Sequence, residues 1–302
     1  MKKKYGFYLM ILAAAGIVLW LLYVRAVPKT SSNAIKSHQK LYGVTVDDSW
    51  YGKVKTADIV AALKAMPVKP TVRIVMSKDR SAKAYQPLFQ KIHQVAYIMA
   101  SPVDSYEMNL YKDTASYQKR FKEAYQQLSA YTDIWEIGNE VNGTDWIKQK
   151  DQLISHKLSA AYDTISSAGG KTALTFYYEN PDHQHDMFRW IKRNISNHLR
   201  KTVDYSFISY YEDDNENYQP HWSSVFKKLQ TLFPHSDVGI GECGNTAKKA
   251  TDKSKKAMAQ RYYSMPNYTS RYVGGYFWWN WVQDCVPHEN NTVYKTIYHQ
   301  LK

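Results

Sequence analysis

Eight short β-prone runs, separated by longer stretches, predict an α/β protein: a (β/α)8 TIM barrel preceded by a single N-terminal transmembrane helix. Three observations carry this reading. The runs are apolar or aromatic along their length, as strands of a parallel sheet buried on both faces are. They alternate with stretches of helical period, which builds βαβ units. Eight such units suit a closed barrel better than an open sheet. A chain of 302 residues holds one barrel of about 250 residues with an appendage.

In order, the strand candidates are residues 41–46, 71–76, 95–100, 134–138, 173–178, 205–210, 238–241 and 273–278. The helical candidates are 57–65, which follows Thr56 as an N-cap, then 115–131, 153–167, 187–199, 222–233, 254–263 and 293–301. Gly169-Gly170 gives the helix at 153–167 a clean stop. No internal linker, low-complexity tract or tandem repeat interrupts 41–302, so that part is expected to be one barrel domain.

The appendage comes first. Lys2, Lys3 and Lys4 precede an uncharged run from Tyr5 to Val24. About 20 apolar residues span a bilayer as a helix. The basic flank is expected to stay cytoplasmic, which places the barrel outside, on a single-pass cell-membrane protein. The boundaries are 1–26 for flank and anchor and 27–40 for a polar stalk. A cleaved leader is the rival, because Val24-Arg25-Ala26 weakly resembles a small-residue cleavage site. Its apolar core would be long for a leader, where 7–15 residues is usual.

Hydrophobic residues make up 44% and charged residues 22%, an ordinary globular balance with a sizeable core. Tyr 26 and Trp 9 serve either that core or a sugar-binding cleft. Net charge is +13, and +9 remains without Lys2, Lys3, Lys4 and Arg25. A basic surface outside a membrane suits anionic polysaccharide, wall polymer or lipid headgroups, with plain solubility as the bland reading. The outward topology makes nucleic acid a poor partner. Cys243 and Cys285 lack metal-site spacing and lie beyond neighbouring strand ends, so a disulfide and two buried thiols both fit.

Two segments carry the chemistry: residues 135–143, with Gly138-Asn139-Glu140, and residues 238–245, with Gly241-Glu242-Cys243. Each is a β-prone run that breaks at glycine and then presents a carboxylate. A barrel gathers its strand ends around one mouth. Two carboxyls facing one pocket are the equipment for cleaving a glycosidic bond. Arg73 in strand 2, Tyr210 and Tyr211 at the end of strand 6, and Trp278 and Trp279 at the end of strand 8 should face the same mouth. Asp47 and Asp48 after strand 1 and Glu179 after strand 5 either bind sugar hydroxyls or shape their loops. Glu136 should point into the barrel or at a basic partner.

On these residues the chain resembles the retaining glycoside hydrolases of the (β/α)8 superfamily called clan A. In that clan an Asn-Glu pair ends strand 4 and its Glu is the general acid/base, while a Glu ending strand 7 is the nucleophile. Asn139-Glu140 and Glu242 match in order and strand number. Arg73 resembles the clan's arginine near the nucleophile, Tyr210 its strand-6 tyrosine, and Trp278 or Trp279 its strand-8 tryptophan, with Trp278 slightly favoured. The likeness covers 41–302 in architecture, rests on short motifs, and singles out no family within the clan. It implies a retaining glycoside hydrolase, and the outward topology makes a cell-surface, secreted or wall polysaccharide the expected substrate. A transglycosylase of envelope assembly would use the same residues. A non-catalytic glycan-binding barrel would not need the carboxyl pair.

No cofactor or metal is expected. His183-Gln184-His185 has no third ligand at a meaningful spacing. The acidic stretch 212–216 suits a solvated loop first, and calcium or a positively charged sugar second. Phosphate-loop, dinucleotide and nucleophilic-serine signatures are absent.

Overall fold

A computed structural model describes residues 34–47, 53–183 and 185–302. Eight parallel strands close into a barrel in sequence order, β1 beside β2 through to β8 beside β1. They are β1 (Leu41–Asp47), β2 (Thr71–Val75), β3 (Tyr97–Ser101), β4 (Ile134–Gly138), β5 (Lys171–Tyr177), β6 (Tyr205–Ser209), β7 (Asp237–Gly244) and β8 (Tyr272–Trp279). The helices run α1 (Thr56–Lys64), α2 (Ala82–His93), α3 (Thr114–Leu128), α4 (Thr144–Ile147), α5 (Asp151–Ser167), α6 (Met187–Asn194), α7 (Asn197–Thr202), α8 (Trp222–Leu232), α9 (Asp252–Tyr263), α10 (Trp281–Cys285) and α11 (Thr292–Gln300).

The expected barrel is therefore present, with local differences that include the short helices α4 and α10, which the sequence reading lacks, and three others. The sequence reading has no helix between strands 2 and 3, where α2 lies; Pro87 sits inside it and weakens the helical signal. The single helix expected over 187–199 is two, because Ile195 and Ser196 are extended and the Ser196 hydroxyl accepts from Leu199 N–H to start α7. Strand 7 continues past Glu242 to Gly244 instead of stopping at Gly241.

Side chains alternate across each strand. The inward set forms an apolar cluster low in the barrel, including Leu41, Ile134, Phe207 and Phe277, with Ile35 packed beneath. Above it the inward positions turn polar: Thr45, Arg73, Glu136 and Thr175 are all fully buried. The outward set packs the sheet against the helices, for example Trp135 against Tyr125 of α3 with ring centroids 5.3 Å apart. Fully burying each such Leu, Ile or Phe contributes roughly 1.5–3 kcal/mol. The apolar layer thus holds the barrel, while the polar upper layer is built for something else.

Residues 34–40, expected to end the stalk, cover the barrel floor. Lys171 Nζ donates to Ile35 O at 2.8 Å, and the His38 N–H donates to Asp237 at 3.1 Å. Among the described residues no helix is long and apolar enough to cross a membrane. The expected anchor at 5–24, its lysine flank, the cleavage-like site and Asp48 lie outside the described residues. Cys243 and Cys285 are free, buried thiols.

Candidate active site

The carboxyl ends of β4, β6, β7 and β8 surround a cleft of about 220 Å³. Glu140 and Glu242 both line it, each only 6% exposed. Their delivery differs. Glu140 follows the end of β4 on a bend with φ of +45°, a left-handed conformation that a non-glycine residue adopts at a cost of about 1–3 kcal/mol. Glu242 is inside β7. There Ile208 pairs with Ile240 but Ser209 pairs with Glu242, so Gly241 is an extra residue in β7. Such a bulge re-aims the residue that follows. Gly244 lets β7 and β8 close at the mouth, since a Cβ there would lie 1.8 Å from Trp279 O.

Glu140 is held by two neutral hydroxyls. Ser209 Oγ donates to its Oε1 at 2.6 Å and Ser105 Oγ to its Oε2 at 3.1 Å. Glu242 is held by a cation and a phenol. The Arg73 guanidinium donates to its Oε2, and the Tyr211 hydroxyl donates to its Oε1 at 2.6 Å. Arg73 also donates through Nε to Glu136 Oε2 at 2.9 Å, and Thr175 Oγ1 to Glu136 Oε1 at 2.5 Å. Burial acts to lower the Arg73 pKa, but Glu136 and Glu242 outweigh it and raise the value, so the guanidinium stays charged.

The titration of the two acids follows from these partners. Burial, and then the charge of Glu242, push Glu140 up to about 8. Burial also raises Glu242, with the Arg73 cation the main opposing effect and the Tyr211 hydroxyl a further one. One proton shared by this pair therefore rests on Glu140 and the charge rests on Glu242. Tyr211 is itself raised well above its ordinary value by burial and by Glu242, which keeps it a hydroxyl donor.

The other expected residues divide by strand parity. Asn139 lines the cleft, 1% exposed, with Nδ2 donating to Asp104 at 3.0 Å and Oδ1 left without a partner. Trp279 lines the cleft; Trp278 does not. The slight preference for Trp278 is corrected: it faces outward, fully buried, and its Nε1 donates to Asp284 at 2.9 Å. Tyr210 is likewise placed outward, where its hydroxyl donates to Tyr218 O at 2.7 Å and its ring meets Trp222. Its neighbour Tyr211 is the residue that reaches Glu242. Arg73 stands behind the cleft, in contact with Glu242. Asp47 accepts from Asn280 at 2.6 Å and is not among the cleft-lining residues. Glu179 lies outside the cleft too, beside His185 at 3.2 Å and His183 at 3.6 Å. Among the described residues no cluster of three or more His, Cys, Asp or Glu side chains is placed to hold a metal ion.

Several lining residues escaped the sequence reading: Asp104, Ser105, Tyr106, Trp146, Tyr177 and Thr246. Ser105 and Tyr106 arrive on a 3-10 turn, Ser105–Leu110, after β3. Trp146 sits on α4, with its ring 6.1 Å from Tyr106 and 5.2 Å from Tyr177.

The fold is shared with solved glycosidase barrels. A glucosidase from Croceicoccus marinus superposes with a TM-score of 0.56 at 12% identity, over 82% of this chain and 60% of that one. Saccharomyces cerevisiae Gas2p, solved in complex with laminaritriose and laminaritetraose, gives 0.53 at 12% identity, over 87% of this chain and 64% of that one. A β-glycosidase named BGL167 gives 0.50 at 9% identity, covering 82% and 87%. This chain thus spans about three-fifths of the length of the first two. No family model matches the chain, and no curated protein does.

Proposed function

We propose that this protein is a retaining glycoside hydrolase of a cell-surface, secreted or wall polysaccharide, held at the outer face of a membrane by its N-terminus. The observation that carries the enzymatic part is the unequal carboxyl pair in one cleft. Glu140 is the protonated acid at neutral pH and Glu242 the carboxylate. The Glu242 oxygen attacks the anomeric carbon while Glu140 gives its proton to the departing glycosidic oxygen. A glycosyl ester on Glu242 results. Glu140, now ionised, takes a proton from water; that water attacks the anomeric carbon and the Glu242 carboxylate leaves. Arg73 and Tyr211 hold Glu242 in place and favour its charged form. Asn139, next to Glu140 in the lining, offers its amide to a sugar hydroxyl beside the reacting carbon, and Trp279 offers a ring face to the sugar. The fold it shares with a glucosidase and with a protein solved with laminari-oligosaccharides supports a glycan substrate.

The test is to incubate the full-length chain, solubilised in detergent, with a panel of polysaccharides. New reducing ends should appear, with the anomeric configuration retained in the first product seen by proton NMR. A fluorinated activated sugar should trap a covalent adduct whose peptide contains Glu242. Inverted product, or an adduct on another residue, would refute the double displacement. Transfer products in place of reducing ends would make it a transglycosylase. For the anchor, protease added to intact cells should digest the barrel, and a soluble product beginning near Val27 would replace the anchor with a cleaved leader.

A further inference from the structure

The chain has Lys+Arg 40 against Asp+Glu 27, yet among the described residues no lysine, arginine or histidine lines the cleft. Four described carboxyl residues do: Asp104, Glu140, Asp214 and Glu242. The nearby guanidinium of Arg73 is already engaged by Glu136 and Glu242. Double displacement uses two of the four carboxyls, so Asp104 and Asp214 remain to be explained. Asp104 accepts one bond from Asn139. Asp214 is exposed at the rim, and no side chain among the described residues pairs with it.

The other features of the lining point the same way. Asn139, itself a lining residue, keeps a buried Oδ1 acceptor that has no donor among the described residues. Tyr106 is 66% exposed, and its ring stacks on Trp146 at 27° between planes. Aromatic faces attract cations as well as sugar C–H groups. A narrow cleft lined by one sign of charge concentrates ligands of the other sign. A uronic or phosphate-bearing polymer would bring its own negative charge against the Asp104, Asp214 and Glu242 carboxyls, with Glu140 holding the shared proton. The lysines and arginines of the described residues lie outside this lining, so net charge does not describe it.

Resting on the glycosidase reading above, we propose that the substrate is a glycan bearing free amino groups: a polymer of 2-amino-2-deoxy sugars that are not fully N-acetylated. Asp214 and Asp104 take the ammonium groups at subsites beside the catalytic pair, and the Tyr106–Trp146 faces support the ring between them. An ammonium is a donor-only group, which matches an acceptor-rich lining. N-acetylation removes the charge and should remove the preference.

The experiment measures equilibrium binding of four hexamers to the full-length chain at pH 6.5: a glucosamine oligomer, its fully N-acetylated form, a laminari-oligosaccharide and an oligouronate. The glucosamine oligomer should bind tightest, and its affinity should fall as salt rises from 0.05 to 0.5 M. Asp214→Asn should weaken that ligand by roughly 3- to 5-fold, the value of one exposed ion pair, and leave the acetylated form within error. Equal or tighter binding of the acetylated, neutral or anionic oligomer would overturn the proposal. So would an unchanged preference in Asp214→Asn, or binding of none of the four. Turnover of each oligomer is followed in parallel with Glu242→Gln as control. Cleavage of the neutral glucan that Glu242→Gln abolishes, without amine preference, would overturn this proposal and leave the glycosidase standing. Amine-selective binding that Asp214→Asn weakens as expected, with no turnover of any glycan, would overturn the glycosidase reading instead.

Discussion

The ends of β4 and β7 deliver the same side chain to one cleft, and nearly everything around the two differs. Glu140 sits on a left-handed bend; Glu242 sits in an extended strand behind a one-residue bulge. Exposure is equal at 6%, so burial cannot tell them apart. The partners can. Glu140 has two serine hydroxyls, and Glu242 has a guanidinium and a phenol. In the proposed mechanism two identical residues become an acid and a nucleophile because β2 lends its arginine to only one of them.

The largest effect should come from the β7 side. Glu242→Gln keeps the shape but cannot attack the anomeric carbon, so turnover should drop by roughly 10⁴-fold or more. Near-normal cleavage of a natural glycan by this variant would end the comparison, because the two carboxyls would no longer hold distinct roles.

Glu140→Gln should cost about 10²–10⁴-fold on natural linkages, the usual worth of a placed proton donor. Substrates with a good leaving group need little protonation and should form the glycosyl-enzyme far faster than natural ones. The same variant has a stability readout. The folded value for Glu140, about 8, lies above the ordinary 4.5. The folded state therefore holds that proton more tightly. The contribution is complete below about pH 4.5 and is lost as pH rises through 8. Glutamine carries no such dependence, so the fall in melting temperature across that window should be shallower in the variant. An identical slope would mean that Glu140 titrates normally.

Most of the barrel was legible, because long apolar runs alternating with helical stretches have few other solutions. The two carboxylates were legible as candidates because Glu140 comes two residues after Gly138 and Glu242 directly after Gly241, although β7 runs on past Glu242 to Gly244. What the sequence hid was parity. Along β6, Ser209 and Tyr211 turn inward and Tyr210 outward; along β8, Trp279 turns inward and Trp278 outward. A one-residue slip exchanges those faces, and no composition signal fixes it. Gly241, the bulge in β7, changes the count again. Asp104, Ser105 and Tyr106 come from the loop after β3, whose path depends on tertiary contacts that leave no periodic trace.

That parity gives the third test. Tyr211→Phe removes a hydroxyl bonded to a buried carboxylate, an interaction worth about 1.5–3 kcal/mol, so kcat/KM should fall roughly 10- to 100-fold. The Tyr211 bond lowers the Glu242 pKa, so without it the acidic limb of the rate profile should move to higher pH. Tyr210→Phe loses only a bond to Tyr218 O and should leave the profile in place, with a stability cost of about 1 kcal/mol. Equal pH shifts from both variants would dissolve the distinction between inward and outward tyrosines.

The smallest effect should be the most diagnostic of the β4 side. Ser209→Ala removes the 2.6 Å bond to Glu140 Oε1 but leaves Ser105 in place. That hydroxyl lowers the Glu140 pKa against the stronger effects of burial and Glu242, because a donor favours the ionised form. Without it Glu140 should hold its proton to still higher pH. The alkaline limb of kcat/KM, expected near pH 8, should move upward by under about one unit. The acidic limb belongs to Glu242 and should stay where it is. Rate at neutral pH should change little, since Glu140 is already protonated there. A downward shift of the alkaline limb would mean that Ser209 acts as an acceptor from a neutral Glu140, reversing the sense of the bond. A shift in the acidic limb alone would mean that the acid and the nucleophile are exchanged between β4 and β7.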